Sequence, residues 1–215
     1  MEARAVTLTV VSYHTPDERY SKYAERLRQS CGKLGMPFLI VEMAQHYDTW
    51  VEMVSLKPQF MRKAMTKLDG PILWVDADGV LVQRPELLIK NTAEVDFAIY
   101  AKDRQKRSWR PIGRELQVLP DEWPFHDTRW FLTGTLYVNN TNPGRTFLRD
   151  WERLSVAEPK AYHQLLCQQA WCMCKPRTVW LPQTYCDIYG RSKHPVIMHE
   201  LASVRRPKGE QVVRA

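Results

Sequence analysis

Long apolar runs are missing from this 215-residue sequence. No stretch approaches the ~20 residues that a membrane-crossing helix needs, so no membrane span is expected. A secretory leader pattern is missing too: MEARAVTLTVV carries Glu2 early and passes straight into a strand pattern. Zinc-site spacing is also absent. Of five cysteines, Cys167, Cys172, Cys174 and Cys186 cluster as C-x4-C-x-C-x11-C, which is not a usual metal spacing. Several fall on apolar helix positions. That predicts reduced, buried thiols and a cytoplasmic protein, in the host cytoplasm if the chain is viral. There is no internal repeat and no low-complexity tract. The length suits one large domain, or two small halves sharing a core. Acidic residues are the minority charge. The formal net charge of +7 favours an anionic partner such as a nucleotide, a nucleic acid or an acidic glycan. Eight Trp and nine Tyr are many for this length and suit a site that stacks rings.

The organising stretch is Pro71 to Pro85, PILWVDADGVLVQRP. Ile72 to Val75 are apolar without alternation, as in a parallel strand covered by helices on both faces. Asp76 and Asp78 follow at once. Two like charges at the end of a buried strand are costly. A divalent cation removes that cost, and carboxylate-bound cations in turn hold phosphates. The pair therefore reads as a metal and diphosphate site at the carboxyl end of a central strand, where open α/β sheets bind ligands. A solvated Asp-containing turn is the plainer alternative.

Upstream, Val6 to Ser12 reads as a first strand. Thr15, Pro16 and Glu18 then predict a capped helix start. A stripe at Tyr20, Ala24, Leu27, Cys31 and Leu34 follows, and Gly35 supplies the stop. With a strand at Phe38 to Val41 this makes a βαβ opening. Tyr13, His14 and Thr15 end the first strand on the sheet edge expected for Asp76 and Asp78. There a ring either stacks on a base or merely shapes the turn. Asp48 to Leu56 reads as a loop. Lys57-Pro58 opens a helix with Met61, Ala64, Met65 and Leu68 on one face. Lys57 stands where backbone N–H groups and a cation could meet phosphate, or where a lysine is simply solvated. A short helix at Glu86 to Lys90 and a strand at Val95 to Tyr100 follow.

Lys102 to Arg114, KDRQKRSWRPIGR, holds six basic residues, one acid and one Trp. Such interleaving suits a nucleic-acid or acidic-acceptor surface, or a solvated loop. Leu136 to Val138 reads as a strand. Gly134 before it suggests close backbone approach. Asn142-Pro143 starts a helix burying Phe147, Leu148, Trp151 and Leu154. Another helix is expected from about Lys160 to Cys174. Val179 to Leu181 and Val196 to Met198 read as short late strands, before a basic tail carrying Arg205, Arg206, Lys208 and Arg214.

The ordered set of features resembles the GT-A glycosyltransferases, the nucleotide-diphospho-sugar transferases. It comprises the first strand with its aromatic end, the K-P-x-F helix start at Lys57 to Phe60, ILWVDAD, the G-x-L-Y-x-N-N-T segment from Gly134 to Thr141, and a late His199. The resemblance implies a single α/β domain over residues 1–215, with a mixed, mainly parallel sheet flanked by helices. Residues to about 92 would form the nucleotide-sugar half, and those from about 93 the acceptor half and tail. It implies a UDP-sugar donor and a cofactor, Mn2+ or Mg2+, held by Asp76, Asp78 and His199. Oxygen-rich ligation suits a hard cation, and one histidine leans toward Mn2+. Tyr13 and Thr15 match positions that contact the base, and Lys57 a position near nucleotide or sugar. Arg205 and Lys208 would close on the diphosphate. The departing diphosphate gains negative charge as the glycosidic bond breaks, so cations there stabilise the transition state more than the ground state.

Many members carry Asp-Gln at the start of the second late helix, where this chain has His163-Gln164. Gln164 and Asp127 are the candidate catalytic residues, Asp127 as a general base if the reaction inverts. Trp130, Gly134, Arg107 and Trp109 are candidate acceptor contacts. The same stretch, VDADGVLV, also resembles the haloacid-dehalogenase phosphatase signature, in which Asp76 would be a nucleophile. That signature usually opens a chain and needs late acidic pairs; neither D-D nor G-D-x-x-x-D occurs after Asp78. A non-catalytic sugar or nucleotide binder is a third reading. For the acceptor, the basic run and tail suggest a polyanion, including DNA with hydroxymethylated pyrimidines. A lipopolysaccharide or capsule glycan is comparable.

Overall fold

The computed structural model describes residues 7–44, 50–91, 94–103, 129–188 and 190–200. In chain order these form β1 (Thr9–His14), α1 (Glu18–Lys33), β2 (Phe38–Glu42), α2 (Trp50–Ser55), α3 (Lys57–Lys67), β3 (Ile72–Val75), β4 (Gly79–Leu81) and α4 (Glu86–Lys90). Then come β5 (Phe97–Asp103), β6 (Arg129–Val138), α5 (Asn142–Ala157), α6 (His163–Cys174), β7 (Thr178–Trp180) and β8 (Ile197–His199). The main sheet has the order β2-β1-β3-β6-β5-β7. β1 is parallel to β2 and β3, and β5 is parallel to β7. β6 is antiparallel to both of its neighbours, β3 and β5. Among the described residues it alone runs against the other strands of this sheet, giving the mixed, mainly parallel sheet that the sequence predicts.

Helices cover both faces of this sheet. Val10, Leu73 and Val75 pack with Leu27 and Cys31 of α1 and Leu88 of α4. Val11, Ile72 and Trp74 pack with Met61 of α3, Phe147 and Trp151 of α5, and Leu166 of α6. Successive side chains of a strand point to opposite faces, so two apolar faces require a continuous apolar run. That is why ILWV shows no alternation. Full burial of each such side chain contributes about 1.5–3 kcal/mol.

Several boundaries differ from expectation. β1 runs Thr9–His14, two residues past the expected end at Ser12, because pairing with β2 carries it on; Val6 lies outside the described residues. α1 is capped by Asp17, whose carboxylate accepts from Tyr20 N at 2.9 Å, and not by Thr15, whose hydroxyl donates to Asp17. The stop at Gly35 holds, with φ +61°. The expected loop before Lys57 contains the helix α2. α6 begins at His163, three residues after Lys160. β6 is a ten-residue strand that includes Gly134 within it. β4 has no counterpart in the sequence reading. It pairs antiparallel with β8, Gly79 opposite His199, in a separate two-stranded sheet.

One buried hub ties three elements together at the opposite end of the sheet. Asp96, with no exposed surface, accepts from Arg177 Nε at 2.9 Å, Arg177 N at 3.0 Å and Thr141 Oγ1 at 2.7 Å. Thr141 in turn caps α5. The Arg177 hydrogen bond holds the Asp96 carboxyl below its ordinary value of 3.8. A lowered folded value means that this stabilisation is present above the unfolded pKa and is lost as the pH falls through the folded one. Asp96→Ala should therefore cost about 2 kcal/mol at pH 7, roughly 5 °C in Tm for a chain of this size. The difference from the unsubstituted chain should shrink on acidification below about pH 4. Chemical denaturation at pH 7 and pH 3 checks both statements.

Candidate active site at the carboxyl edge of the central strand

β3 ends at Val75, and Asp76 continues from it at the sheet edge. Its backbone N–H donates to Gly134 O at 2.8 Å, so β6 extends the pairing by one residue and fixes where the carboxylate begins. Asp76 Oδ1 accepts from Lys57 Nζ at 2.7 Å and from Trp74 Nε1 at 2.7 Å. Lys57 Nζ also donates to Thr133 O at 2.9 Å and lies 4.8 Å from the Trp74 ring centroid. The Lys57 side chain is 2% exposed, that of Asp76 40%. A cation at the positive end of helix α3 is unfavourable by itself. The carboxylate, the carbonyl and the indole face offset that cost, as a buried charge requires.

His199 arrives from β8. Its Nδ1 lies 3.4 Å from Asp78 Oδ1, and its Nε2 lies 2.8 Å from Thr135 Oγ1. Burial alone would push this imidazole down; hydrogen bonding to Asp78 and Cys186 outweighs burial and raises it to about 10. Gly134 sits beside Asp76 and His199. A Cβ there would lie 3.3 Å from His199 Cε1 and 3.5 Å from both His199 Nδ1 and Asp76 Oδ2. The absent side chain thus leaves a space onto which Asp76 Oδ2 and His199 converge. Two carboxylates and an imidazole are a donor set that fits a divalent ion once the imidazole gives up its proton, because a protonated ring has no lone pair to offer. Among the described residues, no three His, Cys, Asp or Glu side chains stand close enough to form a ready-made metal cluster.

The other residues singled out in the sequence lie as follows. Tyr13 is a core residue: its hydroxyl donates to Met53 O at 2.5 Å, and its ring is edge-on to Phe60 and Trp74. It braces Trp74 from behind, where the sequence reading has it facing a base. Thr15 is half-buried beside it. Trp130 is buried and stacked on Tyr162, with ring centroids 5.7 Å apart. Gln164 lies in the first turn of α6, with Oε1 buried and without a hydrogen-bond partner among the described residues. Asp127, Arg107, Trp109, Arg205 and Lys208 lie outside the described residues.

Sequence reasoning missed Trp74, Thr133, Thr135 and His163. The Thr133 hydroxyl lies 2.9 Å from His163 Nε2. Burial, and then the Lys57 charge, push the His163 imidazole well below its ordinary value, so it is neutral at pH 7. The available signal was T-G-T at 133–135: two hydroxyl residues flanking a glycine inside an otherwise apolar strand.

The sequence model of one protein family, described as nucleotide-diphospho-sugar transferase, matches residues 10–203. A comparison with curated proteins gives no match. Among solved structures, the crystal structure of a glycosyltransferase involved in the glycosylation of the major capsid of PBCV-1 is similar, with a TM-score of 0.63 and 14% identity. The similarity covers 91% of this chain and 93% of that one, and it shows a shared fold. The family match spans the stretch that also resembles the phosphatase signature, and places that stretch among transferases.

One consequence of this geometry is independent of any ligand. Thr135→Val keeps the shape of the side chain but removes the partner of a buried ring nitrogen. It should lower stability by about 1–2 kcal/mol. A denaturant midpoint identical to that of the unsubstituted chain would show that His199 Nε2 does not depend on Thr135.

Proposed function

The chain belongs to the nucleotide-diphospho-sugar transferase family and is a glycosyltransferase, and from that premise we propose that it transfers a sugar from a UDP-sugar to an acceptor hydroxyl, using a divalent ion held by Asp76, Asp78 and His199. The observation that carries this reading is the convergence of Asp76 Oδ2 and His199 Nδ1 on the space beside Gly134, with Asp78 against His199. All three lie at the carboxyl edge of β3, where such sheets bind ligands. Mn2+ or Mg2+ bound there would offset the charge of the departing nucleoside diphosphate. The single nitrogen among the donors favours Mn2+.

The protein's own residues do the rest. Asp76 and Asp78 orient the diphosphate, and Gly134 leaves room for it. Thr15 lies at the strand end nearest the base, with Tyr13 supporting from the core. Arg205 and Lys208 supply further positive charge to the phosphates. Gln164 faces the transferred sugar, and Asp127 takes the acceptor proton. Residues to about 92 hold mainly the donor. Those from about 93, including Arg107 and Trp109, meet the acceptor.

The acceptor we propose is a hydroxyl on a polyanion, with hydroxymethylated pyrimidine in DNA as the specific candidate. The net charge of +7 and the run KDRQKRSWRPIGR support it. Such a base would have to leave the stack to reach the sugar. A glycan or protein-borne acceptor is the second reading. Trp180 favours it: this ring is 37% exposed at the same sheet edge, backed by Phe131 and Trp171, and suits stacking against a sugar face. The role of the structural neighbour in capsid glycosylation points the same way.

The test is a panel of UDP-sugars with Mn2+, offered with hydroxymethylated DNA, plain DNA and glycans, and read by mass spectrometry. Gain of one sugar by hydroxymethylated DNA alone supports the DNA acceptor, whose binding should also weaken as salt rises. Gain by a glycan alone supports the second reading. Asp78→Ala should reduce transfer by at least about a hundredfold with the circular dichroism spectrum unchanged. Mn2+-dependent turnover surviving in that variant would count against the site. Gly134→Ala should place a methyl group among the donors and weaken Mn2+ binding in the presence of UDP by about tenfold. Calorimetry measures this, and an unaltered titration would show that the space is not used.

A further inference from the structure

We propose that Lys57 is a positioning residue, which leaves Asp76 only one oxygen for a divalent ion and so makes ion binding weak until a nucleoside diphosphate supplies the remaining ligands. The inference rests on the reading of Asp76 as an ion ligand and adds to it an order of assembly. Asp76 Oδ1 receives two hydrogen bonds, from Lys57 Nζ and Trp74 Nε1, both 2.7 Å. Oδ2 is the carboxylate oxygen nearer the space beside Gly134, 3.5 Å from where a Cβ would lie. The matching of Lys57 to a donor-contact position put its ammonium in reach of phosphate. The side chain is instead 2% exposed against 40% for Asp76, so a ligand arriving from solvent meets the carboxylate and not the lysine. The protons of Lys57 are directed at Asp76 and at Thr133 O, 2.9 Å away, and its charge lies over the Trp74 ring.

The physical effect has two parts. Fixing one carboxylate removes little rotamer entropy from the bound state. A positive charge in contact with that carboxylate opposes a divalent ion at short range in a partly desolvated site, and this is the larger effect. Among the described residues no three-ligand cluster exists to make up the loss. A diphosphate brings both oxygen ligands and negative charge, so ion and nucleotide strengthen one another by the same factor.

The experiment titrates Mn2+ into the full chain by calorimetry, with and without saturating UDP. It compares the unsubstituted chain with Lys57→Met and Trp74→Phe. Methionine fills the volume of the lysine stem without its charge. Lys57→Met should tighten Mn2+ binding in the absence of UDP by about tenfold and reduce the factor by which UDP strengthens it. Trp74→Phe removes the other donor to Oδ1 and should tighten it by about twofold. Mn2+ affinity without UDP that is unchanged or weaker in both variants overturns the proposal. So does a loss of metal-free UDP affinity in Lys57→Met, which would make Lys57 a phosphate contact. If Lys57→Met does not fold, Trp74→Phe decides alone, and an unchanged titration overturns the proposal. No Mn2+ binding to the unsubstituted chain, even with UDP, removes the ion-site reading itself. Binding that neither variant alters removes only the role of Lys57.

Discussion

A lysine with almost no exposed surface bonded to an aspartate at the sheet edge is the interaction on which the rest of this site depends. A buried ammonium without a partner would cost several kcal/mol. Here the carboxylate, the Thr133 carbonyl and the Trp74 face share that cost. The network draws on three stretches: α3 supplies the lysine, β3 the indole and the acid that follows it, β6 the carbonyl. Asp76 is thereby fixed from behind, and only its outer oxygen is left for chemistry. His163, kept neutral by burial, continues the network from Thr133 into α6.

The topology places this network where it can act. β6 runs against its neighbours, and its Gly134 lies beside the end of β3. A residue with a side chain there would occupy the space between Asp76 and His199. The small β4–β8 sheet then turns the late chain back so that His199 stands opposite Gly79, next to Asp78. Acid, glycine and histidine are thus brought together by two separate sheets. Membership of the nucleotide-diphospho-sugar transferase family gives the arrangement its chemical context: a leaving group whose negative charge grows as the sugar departs.

Much of the fold was legible along the chain. The unbroken ILWV run announced a strand covered on both faces, and the stripe through Ala24, Leu27 and Cys31 announced α1. These signals are local, because one or two turns of periodicity state which face is buried. The helix cap was placed two residues early, since Thr15 and Asp17 are both capping residue types and only the backbone path chooses between them. The helix before Lys57 and the strand β4 were not visible. Both are short, and they take their form from the neighbours they pack or pair with.

At the site the division is sharper. By itself the sequence determined that two acids follow a buried strand, that a glycine stands just ahead of a later strand, and that a histidine follows a late one. Tertiary structure alone decided that Lys57 faces inward to Asp76 rather than outward to a ligand, and that Tyr13 supports Trp74 instead of presenting its ring. A lysine at a helix start and a tyrosine at a strand end carry the same local pattern whether they face solvent or core. Which way they turn depends on partners distant in sequence, 19 residues away for Asp76, 76 for Thr133 and 40 for Met53.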